Sequence, residues 1–284
     1  MSITTTFPDQ KYLIDAATLH ATRDSVHLLD LRPAEDFAVG HIEGSRHIDL
    51  YGISIVDTSE APLNNFLSMV QILLGARGVT LDKPVVMYDH ESGERAARGV
   101  WFLSMLGHPN VRILDGGTQA WTAAGYDMAQ LKRAPLPTDP AKVPPTAPPF
   151  RSTHNLDLLA TRFDVARAID DEHSVIVDVR RESEYRGTEK RARRAGTIPG
   201  AVHLFWRDHL DANGAFRHPD EIRALYEAKG ITPDKTVIPL CHGGYRSAST
   251  FIALKSLGYP DVRNYVGAWG EWGNRDDTQI VIPE

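Results

Sequence analysis

Cysteine is almost absent from this chain of 284 residues, which has Cys241 alone. An internal disulfide is therefore impossible, and nothing in the composition suggests an oxidising compartment. The sequence also lacks the roughly 20 consecutive apolar residues that a membrane-spanning helix needs. Residues 1–10 contain no apolar run of signal-peptide length. We therefore expect a cytoplasmic protein without membrane contact.

An excess of positive charge is missing as well. The chain has 31 Lys and Arg against 37 Asp and Glu, which gives a formal net charge of -6. Because nucleic-acid-binding domains are usually basic, we expect no nucleic-acid partner. The 12 histidines show no metal-type spacing with carboxylates or the cysteine, so we expect no metal and no cofactor. We also expect a monomer.

Proline, in contrast, is concentrated in the middle of the chain. Residues 131–150 contain seven prolines, which cannot continue a helix or a central strand. We interpret this segment as a semi-extended linker. It divides the sequence into domains at residues 1–130 and 151–284, in agreement with the length of the chain.

The two halves repeat each other in five matched blocks that occur in the same order, which indicates a duplicated domain rather than a solenoid. The paired blocks are 28–32 with 176–180, 40–48 with 196–204, 83–89 with 235–241, 106–112 with 257–263, and 117–121 with 268–272.

Short apolar runs alternate with helical patterns in each half, which predicts an α/β fold with a mainly parallel sheet and helices on both faces. The predicted strands are Val26–Leu31, Val85–Tyr88, Val111–Leu114, Val175–Val179, Thr236–Leu240 and Val262–Val266. The predicted helices are Ala61–Gly75, Glu94–Leu106, Pro219–Lys229 and Ser247–Leu257.

Cys241 lies where a predicted strand turns into a helix, and Gly243 and Gly244 follow it. Backbone N–H groups in such a turn can point at one spot beside a helix N-terminus and stabilise an anion. A thiolate there would have a lowered pKa and be reactive. The alternative is a buried, inert cysteine.

The first half has Asp89 at the position that matches Cys241, with Glu91 and Glu94 after it. A carboxylate cannot act as a sulfur nucleophile, so the first domain is predicted to be catalytically silent. Its expected role is to close one wall of a cleft over the Cys241 loop. A plain stabilising domain is the alternative.

Together these motifs resemble the rhodanese family in its tandem-domain form. The resemblance depends on Asp30-Leu31-Arg32 and Asp178-Val179-Arg180, on the Gly-His-Ile-x-Gly motif at 40–44 and its copy at 196–200, on 114–121, and on the Cys241 loop. It implies two rhodanese-like domains and a sulfurtransferase whose C-terminal domain alone is active. It also implies transfer of sulfur from a small anionic donor to cyanide or another thiophilic acceptor, such as a thiol, through a Cys241 persulfide.

The resemblance also suggests which residues bind the donor. The related phosphatase loops have five residues between Cys and Arg, whereas four separate Cys241 from Arg246, which favours sulfur over phosphate. Arg186 is expected at the substrate anion, and Asp178 is expected to support the loop, where Arg246 could brace against it. The remaining candidate substrate-binding residues are His242, Gly243, Gly244, Tyr245, Arg246 and Ser247.

Thiosulfate is the expected donor, and 3-mercaptopyruvate is the alternative. His242 and Arg246 could supply positive charge for thiosulfate, whereas the stretch 186–189 is more similar to enzymes that use 3-mercaptopyruvate. The basic run 190–194 is either a solvated loop or a steering patch for anions. A third hypothesis is a persulfide carrier that passes sulfur to a protein thiol.

Overall fold

A computed structural model describes residues 7–131 and 152–284. The predicted proline-rich linker, apart from Leu131, lies outside the described residues. Within those residues no helix is long and apolar enough to cross a membrane.

The first half is built on a five-stranded parallel sheet with the order β1-β5-β4-β2-β3. Val85 to Tyr88 in the central strand are buried, as expected for a strand covered on both faces. The elements are β1 (Leu13–Ile14), α1 (Ala16–Thr22), β2 (His27–Asp30), α2 (Ala34–Val39), β3 (Arg46–His47), α3 (Glu60–Gly75), β4 (Val85–Tyr88), α4 (Glu94–Met105), β5 (Val111–Leu114) and α5 (Gly117–Ala123).

The second half repeats this arrangement. Strands pair in parallel as β8-β7-β9 and as β10-β6, and a parallel bridge between Val237 and Val262 links the two sets. The elements are β6 (Leu159–Ala160), α6 (Arg162–Ala168), β7 (Ser174–Asp178), α7 (Glu182–Tyr185), β8 (Val202–His203), α8 (Pro219–Glu227), β9 (Thr236–Leu240), α9 (Arg246–Ser256), β10 (Asn264–Tyr265) and α10 (Ala268–Trp272). The strand order therefore matches that of the first half, which confirms the predicted fold class.

The predicted elements lie within a few residues of their observed positions. The main difference is the last predicted strand, Val262–Val266, of which only Asn264 and Tyr265 pair with β6. The tryptophans Trp121, Trp269 and Trp272 are buried, as expected for core residues.

Helices α4 and α9 pack against each other between the two halves. Each helix directly follows the loop at the carboxyl end of a central strand, β4 or β9. Nearly all of α4 from Ala96 to Met105 is buried, although this stretch includes Arg98. The packing places the Cys241 loop beside the first half of the chain.

Candidate active site

Cys241 directly follows β9, at the edge of the sheet where parallel strands present their carboxyl ends. Ligands bind at this edge in open α/β sheets. The side chain is 1% exposed, yet it forms part of the lining of a cavity. Cys241 is therefore a buried thiol with an open route to a ligand.

Hydrogen bonds fix the loop around the sulfur. The backbone N–H of Trp269 donates to the Cys241 carbonyl at 2.9 Å, and that of Gly270 donates to the His242 carbonyl at 2.8 Å. Gly244 has a φ of +80°, a conformation that glycine adopts without strain. The first turn of α10 therefore binds the carbonyls of the Cys241 loop. The amide groups of the loop remain available to the sulfur.

The backbone N–H groups of Gly243 and Ser247 favour an anionic sulfur on Cys241, and we call these two groups the amide cradle. The Ser247 hydroxyl lies 3.5 Å from Sγ. Burial alone would raise the pKa of Cys241, but the charge of Arg246 and the donors of the cradle outweigh it and lower the pKa. A lowered pKa favours the thiolate, which is the nucleophilic form of cysteine.

Arg246 is braced by Glu184, and not by Asp178 as the sequence suggested. The two guanidinium nitrogens lie 2.6 and 3.0 Å from the Glu184 carboxylate, whose side chain is fully buried. Forked pairing of this kind holds the guanidinium in one orientation. The first turn of α7 positions Glu184, so the brace comes from a short helix that the sequence did not reveal.

Asp178 instead pairs with Arg180, at distances down to 2.5 Å, and accepts a bond from Thr197 at 2.7 Å. Arg180 lies over the ring of Trp269 at 4.4 Å, and Trp269 anchors the Cys241 carbonyl. The Asp178 side chain therefore supports the loop through this chain of contacts, and its backbone pairs with Leu240, next to Cys241.

A cavity of about 700 Å³ opens over the sulfur. Residues from both halves line it, since the first half contributes Tyr51, Gly52, Ser54 and Glu94. This placement matches the expectation that the first domain closes one wall of the cleft. The second half contributes aromatic side chains, Phe205 and Trp206, and a set of arginines at positions 181, 191, 207 and 246.

The wall from the first half is tied to the second half on either side of the cavity. The Tyr245 hydroxyl donates to the Leu50 carbonyl at 2.9 Å. The backbone N–H and the hydroxyl of Thr58 donate to Glu271 at 2.7 and 3.0 Å. These contacts hold the loop 49–59 in place over the cavity.

Arg186 does not reach the cavity, contrary to the expectation from the family motif. Its guanidinium bonds to Glu182 at 2.8 Å and to the carbonyl of Glu284, and the side chain is half exposed. These two contacts hold the Arg186 guanidinium at the surface, away from the sulfur. Arg191, in the basic run of the sequence, takes the lining position instead. Arg181 and Arg207 carried no sequence signal that distinguished them from surface arginines.

The other predicted loop residues divide into two groups. His242, Gly243, Tyr245 and Arg246 line the cavity, whereas Gly244 and Ser247 do not. Burial and the nearby charge of Arg191 lower the pKa of His242. This shift disfavours the charged form of His242, which was expected to supply positive charge for thiosulfate.

The matching loop of the first half contains its own anion. The Asp89 carboxylate accepts bonds from the N–H groups of Glu91, Gly93, Arg95 and Ala96 at 3.0 to 3.3 Å. Burial raises the pKa of Asp89 to about 6 despite these donors. The donors that could receive a ligand are thus already occupied by a side chain of the same loop.

The occupied loop also forms part of the interface between the halves. Glu91 pairs with Arg207, with one contact at 2.8 Å, and Ser92 donates its N–H to the Gly214 carbonyl at 2.7 Å. Among residues 7–131 and 152–284, no group of three or more metal-ligating side chains is close enough together to hold an ion.

The family described as Rhodanese-like domain matches this chain twice, at residues 15–124 and 161–275. A thiosulfate sulfurtransferase of Pseudomonas aeruginosa is 35% identical over 256 residues, which are 90% of either chain. A thiosulfate sulfurtransferase of Azotobacter vinelandii is 33% identical over 97% of this chain and 99% of its own length. The sulfur carrier protein TtuD of Thermus thermophilus is 35% identical over 84% of either chain.

Among solved structures, YnjE is similar to this chain with a TM-score of 0.81 and 21% identity. The alignment covers 98% of this chain and 70% of YnjE. An anaerobic ergothioneine biosynthesis enzyme from Chlorobium limicola aligns with a TM-score of 0.84 and 20% identity, over 98% of this chain and 72% of that enzyme. At these identities the likeness concerns the fold alone.

Proposed function

Because this chain belongs to the rhodanese family of sulfurtransferases, we propose that it moves the outer sulfur of thiosulfate to cyanide or to a thiol through a persulfide on Cys241. The observation that supports this proposal best is the Cys241 thiol, with its lowered pKa, in an amide cradle on a cavity wall.

The proposed reaction has two displacements. The Cys241 thiolate attacks the outer sulfur of thiosulfate, and a sulfur–sulfur bond forms to Sγ. The sulfur–sulfur bond of thiosulfate breaks, and its electron pair leaves with sulfite. Cyanide then attacks the terminal sulfur of the persulfide, and the electron pair of the breaking bond returns to Sγ. The products are thiocyanate and the free thiolate, so ping-pong kinetics are expected.

The surroundings of Cys241 suit both steps. The positive charge of Arg246 and the N–H groups of the amide cradle favour an anionic sulfur at this position. They are fixed before the reaction starts, since Glu184 holds Arg246 and the opening segment of α10 holds the loop carbonyls. Preorganised donors stabilise charge without the cost of reorienting during the reaction.

The test is the rate of thiocyanate formation from thiosulfate and cyanide by the wild-type protein and by Cys241→Ser. We expect the variant to lose at least about a thousandfold in kcat, because a hydroxyl is a far weaker nucleophile than a thiolate. Mass spectrometry of the wild type after thiosulfate treatment should show one added sulfur at Cys241. Retained activity in the variant would rule out the persulfide route.

The donor is tested in the same assay with 3-mercaptopyruvate in place of thiosulfate. We expect a higher kcat/KM for thiosulfate, because Arg246 and Arg191 both line the cavity and suit a small dianion. A higher kcat/KM for 3-mercaptopyruvate would keep the sulfurtransferase chemistry and change the donor.

A persulfide carrier is the second candidate function. The cavity of about 700 Å³ is much larger than thiosulfate, and one relative at 35% identity is named a sulfur carrier protein. For a carrier, Cys241 should load rapidly from thiosulfate, release little thiocyanate, and transfer its sulfur to a protein thiol. Rapid turnover with cyanide would favour the enzyme.

A further inference from the structure

Arg98 is an arginine buried at the interface, and no carboxylate in the described part of the chain pairs with it. It lies on α4, in the half of the chain that lacks the nucleophile, and its exposure is 0%. Among residues 7–131 and 152–284, Nε and Nη2 have no hydrogen-bond partner, and Nη1 lies 3.5 Å from the Leu50 carbonyl. A buried charge left without a partner is strongly destabilising, so a compensating anion is expected near this guanidinium.

The guanidinium of Arg98 points toward the Cys241 loop. It lies 3.7 Å from the ring centroid of Tyr245 and 4.7 Å from that of Phe102. Tyr245 opens α9 and lines the cavity beside Cys241. A cation between two aromatic rings is attracted by both ring faces, and the attraction is larger when water is excluded.

Few charged groups act on Arg98 among the described residues. Burial lowers its pKa to about 10, and Tyr245 and Cys241 are the groups whose negative charge opposes this effect. No carboxylate contributes among the described residues. The Cys241 thiolate is therefore the anion that is available to this guanidinium at neutral pH.

We propose that Arg98 is a positioning residue for sulfur transfer, which provides a second positive charge for the Cys241 thiolate and persulfide and holds Tyr245 against the loop. This inference depends on the proposed function only for the persulfide, since the thiolate is a property of the protein itself. It gives the first half of the chain an electrostatic role at the reacting sulfur.

The position that matches Arg98 in the other half of the duplication has no cation. By the block that aligns Asp89 with Cys241, Thr250 on α9 matches Arg98 on α4. The Asp89 carboxylate thus has a neutral residue at the corresponding site, and burial raises its pKa. In the Cys241 loop, the charge of Arg246 and the hydrogen-bond donors of the loop lower the pKa of the thiol.

Several other groups act on the sulfur and must be held constant in a test. Arg246 favours the thiolate and is paired with Glu184. The remaining charged or titratable groups that line the cavity near the loop are Glu94, Arg181, Glu189, Arg191, Arg207, His242 and Tyr245. None of them is altered in the variants below.

The experiment is the pH dependence of Cys241 alkylation by iodoacetamide in the wild type, Arg98→Met and Arg98→Lys. We expect the apparent pKa of the thiol to rise by about one unit in Arg98→Met, because loss of a nearby opposite charge disfavours the thiolate. Arg98→Lys should restore most of the shift. In the thiosulfate assay, Arg98→Met should lower kcat at neutral pH about tenfold.

The matched control is Arg95→Met. Arg95 lies on the same helix and stacks over Tyr51 at 4.1 Å, but it pairs with Asp49 at 3.0 Å and does not line the cavity. This control removes a cation and a ring contact from the same interface, and it should leave the thiol pKa unchanged. An equal shift in Arg95→Met would overturn the proposal, and so would an unchanged pKa in folded Arg98→Met.

Thermal unfolding by circular dichroism checks that the variants are folded. If Arg98→Met does not fold, Arg98→Gln provides the neutral variant. An unchanged thiol pKa in Arg98→Gln, or an equal shift in Arg95→Met, would then overturn the proposal. Alkylation needs no sulfur donor, so a protein inactive with thiosulfate can still show the predicted shift. The two proposals can therefore fail separately.

Discussion

Arg191 and Arg186 belong to one loop region, but they have different partners. Arg186 is held at the surface by Glu182 and the Glu284 carbonyl. Arg191 lines the cavity and lies 3.7 Å from Glu184, whose carboxylate is already engaged by Arg246. Because the Glu184 carboxylate is shared with Arg246, Arg191 retains charge for an incoming anion.

Replacement of Arg191 by glutamine should therefore raise the KM for thiosulfate about fivefold, the equivalent of about 1 kcal/mol for a partly solvated ion contact. We expect kcat to be unchanged, since the contact is made to the bound donor rather than to the reacting sulfur. Steady-state kinetics with varied thiosulfate measure both values.

Arg186→Gln is the matched control, and its KM should equal that of the wild type. A higher KM in Arg186→Gln than in Arg191→Gln would return the anion-binding role to the residue that the family motif suggested.

At the scale of elements, the loops after β4 and β9 are two versions of one turn. In the loop after β9, amide groups surround a sulfur, and in the loop after β4 they surround the Asp89 carboxylate. The positive φ of Gly244 lets the chain turn at this point. A Cβ added there would lie 3.3 Å from the carbonyl oxygen of Val266.

Gly244→Ala should lower the stability by about 1–2 kcal/mol, because a left-handed backbone disfavours residues with a Cβ. It should also reduce kcat about tenfold or more, since displaced amides no longer face the sulfur. Chemical denaturation and the thiocyanate assay measure the two effects.

Gly258→Ala separates strain from function. Gly258 follows α9 with a φ of +86°, and an added Cβ would meet nothing within 4 Å. We expect a similar loss of stability with unchanged kcat. An equal loss of kcat in both variants would mean that general destabilisation, and not the loop geometry, explains the effect.

At the scale of the whole molecule, the duplication was the most informative feature of the sequence. It predicted the two similar sheets, and the Asp89-for-Cys241 exchange predicted which half has the nucleophile. Repeated apolar blocks made this possible, because strands buried on both faces have a clear pattern. Glu184, Arg98 and Thr58 could not be found in this way. Their roles depend on which side chains meet in three dimensions, across the halves for Arg98 and Thr58 and between α7 and α9 for Glu184, and local sequence patterns contain no such information.

His209 is a buried group at the contact between the halves. It lies 2.9 Å from the Tyr226 hydroxyl and 3.0 Å from the Ser249 hydroxyl, and Ser249 reaches the Ser92 carbonyl at 3.4 Å. Burial lowers the pKa of His209 to about 3. Folding therefore keeps this imidazole neutral at pH values where the unfolded chain, with a pKa of about 6.5, takes up a proton.

The sign of the resulting pH dependence follows from proton binding. Between pH 6.5 and 3 the unfolded state binds the proton and the folded state does not, so stability falls as the pH falls, by up to about 1.4 kcal/mol per unit. Urea denaturation from pH 7.5 to 4.5 should show this loss in the wild type relative to His209→Gln.

The variant removes the titration of His209 and keeps a polar side chain, so a constant difference between the two proteins across this range would contradict the prediction. Asp89 acts in the opposite direction, since burial raises its pKa to about 6, but it is present in both proteins and cancels in the comparison.

The Asp89 carboxylate that occupies the loop after β4 bears on how many sulfur atoms one polypeptide can carry. Of the two duplicated turns, one already holds a group of its own chain, and the sequence has one cysteine. For the proposed persulfide, this means one loaded site for each polypeptide and no pair of adjacent sites. A second equivalent recovered from loaded protein would have to extend the same Cys241 chain as a polysulfide.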